Sequence, residues 1–488
     1  MGAGLATVQY APSPAPEWRP SREVGSFPDP LRTLKFLPAH GRIARPRSRA
    51  QHRLPVVGGR GASVPISSLK RVIIIGAGPL GLATGIELLE SGCDVTIFES
   101  QDQLGLGVSY RPAFNQYGIL HSGAYYPTDS KRGQLSRRMY EMIESSAASG
   151  TVMDIYRKRI RKTGKLIIAR TDPGVDIIHV FQDRLKNGKV SYSFLTQASE
   201  FAALDEPTLG DPTKIKAILN LSNVGIIHIE EYIKYLAEAF AKSGGTIKLS
   251  HEVIDFVIPS ATRSELRTGV ICKIGLAKTT FFADVAINMA GLYVVPVAER
   301  AAAALQKLNA KIGPPPTPDV RYDRFIVLVE REQDRQRSSK HLTRRVVYVA
   351  DSAVLDGPYA TVGVHSYCCH ELELGKYTMS FGNYIQRGIP RTEIWNMDPA
   401  IPQLDEEMWQ KAEMVYPMLN RLDYELKFVG RIGIALTQDS ERDMAYTSCT
   451  DSESGFSVIN CYTADSPGLT CSPVIAKEVA GMVIDKPS

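Results

Sequence analysis

Three glycines and one acidic residue have a spacing suited to holding the phosphates and ribose of a dinucleotide. Gly76, Gly78 and Gly81 form the pattern G-x-G-x-x-G with Pro79 inside it, and Glu99 follows Gly76 by 23 residues. The first glycine permits a tight turn, the second lets the backbone approach a pyrophosphate, and the third lets a helix pack closely on a strand. The carboxylate of Glu99 would accept hydrogen bonds from ribose hydroxyls and repel a 2′-phosphate. These residues predict a bound dinucleotide other than NADP.

The elements around these residues occur in the order that such a site requires. Val72–Ile75 is a β-branched run typical of a strand buried on both faces, and the glycines follow it directly. Leu82 and Ile86 then fall on one face of a predicted helix, and Val95–Phe98 forms a second strand. The glycine pattern alone is weak evidence, whereas a strand, glycine turn, helix and second strand together predict a nucleotide-binding β-α-β unit.

The residues that follow decide between FAD and NAD. The segment Phe114–Pro127, FNQYGILHSGAYYP, with Lys131 and Leu135 beyond it, resembles the flavoprotein family of L-2-hydroxyglutarate dehydrogenases and oxidases. That family lies within the D-amino-acid-oxidase-like superfamily. Its members typically carry a segment similar to G-V-I-H-A-G-I-Y-Y, which Gly118–Tyr126 matches. The resemblance implies FAD as the cofactor.

Further segments similar to this family occur in the same order along the chain. GKLIIA at 164–169 looks like the family's G-K-L-I-V-A, GVH at 363–365 like its G-V-H, and SPGLT at 466–470 like its S-P-G-L-T. Together the similar segments span nearly all of residues 71–483. In addition to the glycine turn, the resemblance implies cofactor contacts at Val253, Gly291, Pro467, Gly468, Leu469 and Thr470.

The end of the chain has a helix whose N-terminus suits a reduced flavin. Ser472 and Pro473 are typical of an N-cap and a first-turn proline. The positive end of this helix would point at the flavin N1–C2=O edge, where negative charge builds up on reduction. An ordinary buried C-terminal helix is the alternative interpretation.

Oxidation of a 2-hydroxy acid to a 2-oxo acid needs a hydride acceptor, a base and a fixed cation for the carboxylate. N5 of FAD would be the hydride acceptor. His365 and His121 lie within the family-like segments, and imidazole titrates in the range suited to proton abstraction. We predict His365 as the base and His121 as a residue that orients the flavin or substrate, although either could be a structural histidine. Cys368, Cys369 and His370 are contiguous and cannot surround a metal tetrahedrally, so no metal is predicted.

The expected carboxylate-binding arginine is displaced. Relatives usually carry a G-I-R-P segment whose arginine suits bidentate capture of a carboxylate. Here Ala435 stands at that position, and Arg431 lies four residues earlier. Residues four apart on a strand share a face but are separated by about 13 Å. Arg431 is therefore the candidate carboxylate ligand only if a bulge realigns the strand.

The length of 488 residues predicts two domains built from interleaved segments. We predict an α/β fold in which a Rossmann-like parallel sheet binds FAD and a mostly antiparallel β-sheet cap binds substrate. The predicted FAD-binding domain comprises residues 70–126, 216–297 and 425–486. The predicted cap domain comprises residues 127–215 and 298–424.

Basic residues concentrate near the N-terminus. Residues 1–70 hold eleven Lys and Arg residues against three acidic ones, whereas the rest is slightly acidic, so the folded body is not expected to bind nucleic acid. Residues 1–69 form a predicted disordered leader, whose Arg-rich, acid-poor composition is typical of an organellar transit peptide. We predict a mitochondrial location, with plastid and cytoplasm as alternatives because the prolines of residues 1–30 disfavour an amphipathic helix.

The remaining composition limits the electron acceptor and the setting. Seven cysteines without a C-x-x-C pair indicate a reducing compartment and no zinc site. No apolar run reaches about 18 residues, so no transmembrane segment is predicted. Without a second dinucleotide motif, electrons must leave to oxygen, a quinone or an electron-transfer flavoprotein. Two alternatives stay open, an amino-acid or amine oxidase of the same superfamily and a catalytically inactive flavin-binding paralogue.

Overall fold

A computed structural model describes the main body of the chain between residues 69 and 484. The described residues are 69–106, 117–145, 149–206, 209–258, 268–308, 320–330, 346–352, 354–356, 359–361, 365–371, 376–386, 406, 409–410, 413, 421, 424–436, 442–451, 454–463 and 467–484. Apart from Leu69, the predicted leader lies outside these residues. No helix in these ranges combines the length and the apolar character needed to cross a bilayer.

The α-helices with described bounds are α1 (Pro79–Glu90), α2 (Lys131–Glu144), α3 (Thr151–Arg159), α4 (Asp172–Asn187), α5 (Ala198–Ala203), α6 (Ile229–Lys242), α7 (Val294–Leu308) and α8 (Ser472–Ile484). Short 3-10 turns occupy Pro212–Lys214, Gly291–Tyr293 and Ala350–Ser352. The predicted C-terminal helix is thus present, and it begins at Ser472, one residue earlier than expected.

The strands are β1 (Arg71–Ile75), β2 (Asp94–Phe98), β3 (Tyr117–Ile119), β4 (Ile160–Arg161), β5 (Lys165–Ala169), β6 (Ser193–Leu195), β7 (Ala217–Leu221), β8 (Ile226–His228), β9 (Thr246–Lys248), β10 (Glu252–Val257), β11 (Thr268–Ile274), β12 (Ala277–Ala283), β13 (Val285–Asn288), β14 (Val320–Glu330), β15 (Val346–Val349), β16 (Val354–Asp356), β17 (Tyr359–Thr361), β18 (His365–Glu371), β19 (Lys376–Gln386), β20 (Tyr424–Leu436), β21 (Arg442–Asp443), β22 (Ala445–Thr450) and β23 (Ser457–Tyr462).

A six-stranded sheet with the order β22-β23-β13-β1-β2-β9 forms the nucleotide-binding half. Its strands pair in parallel except β22, which pairs antiparallel with β23. One face is covered by α1, α6 and α8, and the other by α7 and the antiparallel sheet β10-β11-β12. Both faces are therefore buried, which explains the continuous apolar run of β1. The predicted Rossmann-like parallel sheet is confirmed.

A nine-stranded sheet with the order β21-β20-β14-β19-β18-β15-β5-β7-β6 forms the second half. Its pairs are antiparallel except β5 with β15. The predicted mostly antiparallel sheet is thus also confirmed. Strands β7 and β20 run in this sheet, although the sequence analysis assigned most of their residues to the FAD-binding domain. They pair with β5 and β14, partners far away along the chain, and the exact domain boundaries stay a prediction.

Asp351 fastens the start of α4 to the end of β15. Its carboxylate accepts hydrogen bonds from the backbone N–H of Arg170 (2.9 Å) and from the N–H (2.9 Å) and hydroxyl (2.6 Å) of Thr171. The Thr171 hydroxyl in turn accepts from the N–H of Gly174, as an N-cap. One side chain therefore satisfies several donors at the junction of a helix and a sheet.

We expect the Asp351→Ala substitution to lower the free energy of unfolding by about 1–3 kcal/mol, because it leaves these donors without an acceptor. Urea unfolding followed by circular dichroism measures the change. The matched control is Asp211→Ala, since Asp211 caps only the exposed 3-10 turn at Pro212–Lys214. An equal loss of unfolding free energy in both variants would show that Asp351 does not contribute more to stability than Asp211 does.

Candidate active site

The glycine turn between β1 and α1 combines close packing with an open space. Gly76 has a φ of +106°, and a Cβ there would lie 2.5 Å from the carbonyl oxygen of Met289. A Cβ at Gly81 would overlap the carbonyl oxygen of Gly76. A Cβ at Gly78, in contrast, would meet no atom within 4 Å. Pro79 begins α1, and no side chain caps the helix, so its first N–H groups face this open space.

Glu99 is held beside this turn at the end of β2. One carboxylate oxygen accepts a hydrogen bond from the backbone N–H of Ala77 (3.0 Å), and the other accepts from the N–H of Gln101 (3.0 Å). The carbonyl of Glu99 accepts from the N–H of His251 (2.8 Å). The segment that leads to Val253 therefore lies alongside Glu99.

Val253 and Gly291 complete the positions predicted around the nucleotide. Val253 is 5% exposed, and its carbonyl accepts a hydrogen bond from the guanidinium of Arg300 (2.7 Å). Gly291 has a φ of +58° in the turn that follows β13. The N–H of Met289 bonds to the carbonyl of Ile75, which sets this turn next to the end of β1. The cofactor contacts of these residues stay predictions.

Two buried asparagines that the sequence analysis missed support the Gly291 turn. Asn288 ends β13, and its amide donates to the carbonyl of Val294 (2.8 Å) and to the side-chain oxygen of Asn460 (2.9 Å) on β23. Asn288 lies at the carboxyl end of its strand and Asn460 two residues before the end of the next parallel strand, near the edge at which α/β sheets bind ligands. An asparagine at the end of each apolar run, VAIN and SVIN, was the signal available in the sequence.

The segment before α8 packs against the strand that leads to His121. Pro467 and Gly468 are buried, and the carbonyl of Pro467 accepts from the N–H of Cys471 (2.8 Å). The hydroxyl of Thr470 accepts from the backbone N–H of His121 (3.2 Å). A Cβ at Gly118 would overlap the side chain of Leu469, so a larger residue there would separate the two segments. Ser466 lies outside the described residues.

Two buried tyrosines flank the imidazole of His121, and a buried cation lies against each. The Tyr125 ring meets His121 edge-on at 5.6 Å between centroids, and the Tyr126 ring lies at 6.1 Å. The guanidinium of Arg132 lies 4.1 Å from the centre of the Tyr126 ring. The ammonium of Lys165 lies 4.3 Å from the centre of the Tyr125 ring. The imidazole thus sits in a closely packed aromatic group that carries positive charge.

His365 and Arg431 lie on different strands of the nine-stranded sheet. The backbone of His365 pairs with Tyr348 and Gly382, whereas that of Arg431 pairs with Arg324. Strands β19 and β14 lie between them, a separation of about 14 Å at ordinary strand spacing. The structure therefore does not make them neighbours in the sheet, and their catalytic roles stay predictions.

Ala435, which stands where the sequence analysis expected an arginine, lies in an apolar cluster. It is 4% exposed and packs with Val294, Ala298 and Tyr462. A guanidinium among these apolar side chains would lose its hydration, which is costly. The carboxylate of Asp443, which lies across the strand pair from position 435, already accepts hydrogen bonds from the backbone N–H groups of Lys131 and Arg132. The surroundings of position 435 thus suit the alanine.

The family model described as "FAD dependent oxidoreductase", DAO, matches residues 71–482. The chain belongs to the DAO family of FAD-dependent oxidoreductases. FAD is accordingly its cofactor. No curated protein matches the chain.

Solved structures of DAO-type fold cover most of the chain. L-α-glycerophosphate oxidase from Mycoplasma pneumoniae with FAD bound has a TM-score of 0.63 and 18% identity, covering 85% of this chain and 95% of its own. L-proline dehydrogenase from P. horikoshii has a TM-score of 0.60 and 14% identity, with 86% and 94% covered. Glycine oxidase from Geobacillus kaustophilus has a TM-score of 0.58 and 17% identity, with 86% and 96% covered. These similarities show a shared fold.

The glycine turn of this DAO-family chain fits the pyrophosphate of FAD. The space beside Gly78 and the uncapped N–H groups of α1 suit an anion at a helix N-terminus. The carboxylate of Glu99, held at the end of β2, suits ribose hydroxyls. These residues would hold the nucleotide end of the cofactor, and the segment 467–470 would lie toward its flavin end.

Lys165 is the residue near His121 to which the sequence analysis gave no role. Burial lowers the pKa of its ammonium group from the usual range to about 7. The signal available was a lysine at the start of KLIIA, an otherwise apolar strand. A lysine at such a position is rarely buried without a partner.

Proposed function

We propose that this DAO-family oxidoreductase converts a small 2-hydroxy acid to its 2-oxo acid, with L-2-hydroxyglutarate as the preferred substrate. The observation that carries the proposal is the contact between His121 and Thr470. It joins Gly118–Tyr126, which resembles the L-2-hydroxyglutarate dehydrogenases and oxidases, to the segment expected to touch the flavin. The similar solved structures support the fold but do not identify the substrate.

The chain's own side chains account for proton transfer and for the exclusion of water. Bound FAD would supply the acceptor for the hydride of the substrate carbon. The imidazole of His365 takes the hydroxyl proton onto a ring nitrogen as the carbon is oxidised, and that of His121 orients the flavin or substrate. Tyr125 and Tyr126 are both buried, so they keep water from one side of the His121 ring.

Positive charge around His121 supports an anionic substrate. L-2-hydroxyglutarate carries two carboxylates, and the buried Arg132 and Lys165 lie behind the two flanking tyrosines. A positive potential raises the local concentration of an anion. β20 pairs with β14 in unbroken register between Arg431 and Ala435, so no bulge brings Arg431 to position 435, and its role as a carboxylate ligand stays a prediction.

Anaerobic mixing of the purified yellow protein with L-2-hydroxyglutarate tests the proposal. We expect the visible flavin band to bleach, and D-2-hydroxyglutarate serves as the stereochemical control. The His121→Asn variant should bleach at least about 100-fold more slowly, since the imidazole acts in or beside the proton transfer. Bleaching only by amino acids or amines would support the alternative oxidase, and no bleaching by any of these would support a flavin-binding paralogue without this activity.

The acceptor and the location belong to the same proposal. We infer that the electrons pass to a quinone, an electron-transfer flavoprotein or oxygen, since the sequence has one dinucleotide motif. Reoxidation of the bleached protein by each acceptor in turn identifies the one that is used. We further propose that residues 1–69 direct the chain to mitochondria, and imaging the full chain beside one lacking those residues tests this.

A further inference from the structure

Lys165 is a buried ammonium group whose described neighbours are aromatic faces. It is 0% exposed at the first position of β5. Its Nζ lies 4.3 Å from the centre of the Tyr125 ring and 5.9 Å from that of Tyr348, and within the described structure it has no hydrogen-bond partner. Such burial costs folding free energy. A strand that served stability alone would do better with an apolar residue at this position.

Tyr125 connects this ammonium group to His121. Its ring is packed edge-on against Phe181 (5.2 Å) and lies 5.3 Å from the Tyr348 ring. The Tyr125 ring also meets the Tyr126 ring edge-on at 6.3 Å and 79°, and the imidazole of His121 at 5.6 Å and 77°. A change in the tilt of Tyr125 therefore reaches the imidazole directly, because close-packed side chains transmit displacements.

We propose that Lys165 is a positioning residue, which holds the ring of Tyr125 by a cation–π contact and through that ring fixes the orientation of the His121 imidazole. The inference rests on the proposed function for what His121 does. The attraction between an ammonium and an aromatic face is strongest when both are desolvated, as here. The other flanking ring, Tyr126, has its own cation in Arg132, so a change at Lys165 acts first on the Tyr125 side of the imidazole.

The Lys165→Met variant separates this role from a merely structural one. Methionine has a similar length and keeps contact with the aromatic ring, but it lacks the charge. We expect kcat to fall about 10-fold or more with KM nearly unchanged, because small misplacements of a reacting group are costly. We also expect Tm to rise, because an unpaired buried charge has been removed. A structural role would instead lower Tm and activity together.

The matched control is Lys216→Met. This exposed lysine lies just before the adjacent strand β7 and forms an ion pair with Asp172. The substitution should change neither kcat nor Tm appreciably. Tyr125→Leu provides a second route, because it removes the linking ring itself. We expect it to lower kcat as Lys165→Met does, and the double variant to be no slower than the slower single variant.

A readout without substrate distinguishes failure of this inference from failure of the proposed function. The holoenzyme labelled with ¹⁵N-histidine gives imidazole resonances, and the His121→Asn variant assigns that of His121. We expect this resonance to shift in Lys165→Met and to stay in place in Lys216→Met. If no 2-hydroxy acid bleaches the flavin, the proposed function fails while this comparison still decides the role of Lys165. An unshifted His121 resonance, or a Tm that falls together with kcat, would overturn the inference.

Discussion

Replacement of Gly78 with valine will give a folded protein that has lost most of its affinity for FAD. The residue has a φ of −72° and an extended ψ, which valine adopts without strain. No atom of the chain lies within 4 Å of the added Cβ, so the apoprotein has room for it. The methyl groups would occupy the space through which the pyrophosphate reaches the N–H groups of α1. Overpacking of about 1–3 kcal/mol corresponds to about a 5- to 160-fold weaker Kd.

The contrasting variant is Gly81→Ala, three residues further on. Its Cβ would overlap the carbonyl of Gly76, so α1 must move away from β1 and both the fold and the flavin site suffer. The Tm of each apoprotein and titration with FAD, followed by flavin fluorescence, distinguish the two outcomes. Unchanged FAD affinity in Gly78→Val would show that the pyrophosphate does not lie at this turn. A Tm as low as that of Gly81→Ala would show that the open space is not available.

The local elements of the nucleotide-binding unit could be predicted from the sequence. The expected strand, helix and second strand correspond to β1, α1 and β2, and the end of the chain forms α8 as expected. These elements are encoded by neighbouring residues, through β-branched runs, apolar spacing and the glycine turn. Their expected contacts with FAD could also be predicted, because the glycines and Glu99 that would make them are adjacent to these elements in the sequence.

The partners of the strands could not be predicted in the same way. β5 pairs in parallel with β15, so that Lys165 lies opposite Val346, although many residues separate the two along the chain. β7 and β20 likewise pair with strands that are distant along the chain. Most of their residues had been assigned to the FAD-binding domain, but both strands belong to the nine-stranded sheet. The alternation of residue types along a strand shows which side chains share a face, but it does not identify the strand with which it pairs.

In the candidate active site, too, the features encoded by local segments could be predicted, whereas those that depend on distant contacts could not. The family-like segments indicated His121 and Thr470, and the structure brings them within hydrogen-bonding distance. The environment of Lys165 depends on Tyr125 and Tyr348, which come from two other parts of the chain. Sequence spacing alone therefore left this lysine without a role, since its burial arises only when β5, β15 and the Tyr125 turn pack together.

Lys165 should also make the stability of the protein depend on pH in a direction unusual for a lysine. Burial lowers its pKa in the folded chain to about 7, whereas a lysine in an unfolded chain has a pKa of about 10.4. Below about pH 7 both states hold the proton, and the full cost of burying the charge destabilises the fold. Between about pH 7 and 10 the unfolded state binds more protons than the folded state, so the free energy of unfolding rises with pH.

The expected size of this effect is about 1.4 kcal/mol per pH unit, or several kcal/mol over the whole window. Urea unfolding of the wild type and Lys165→Met at several pH values from about 6.5 to 9.5 measures it. We expect the variant to be the more stable protein at the lower pH, with an advantage that shrinks steadily as the pH rises, because its methionine has no proton to lose. Tyrosines and cysteines that titrate in this range are shared by both proteins, so the difference isolates Lys165. A constant difference across the window would mean that the ammonium is hydrated or paired in solution, and the cation–π support of Tyr125 would then lose its physical basis.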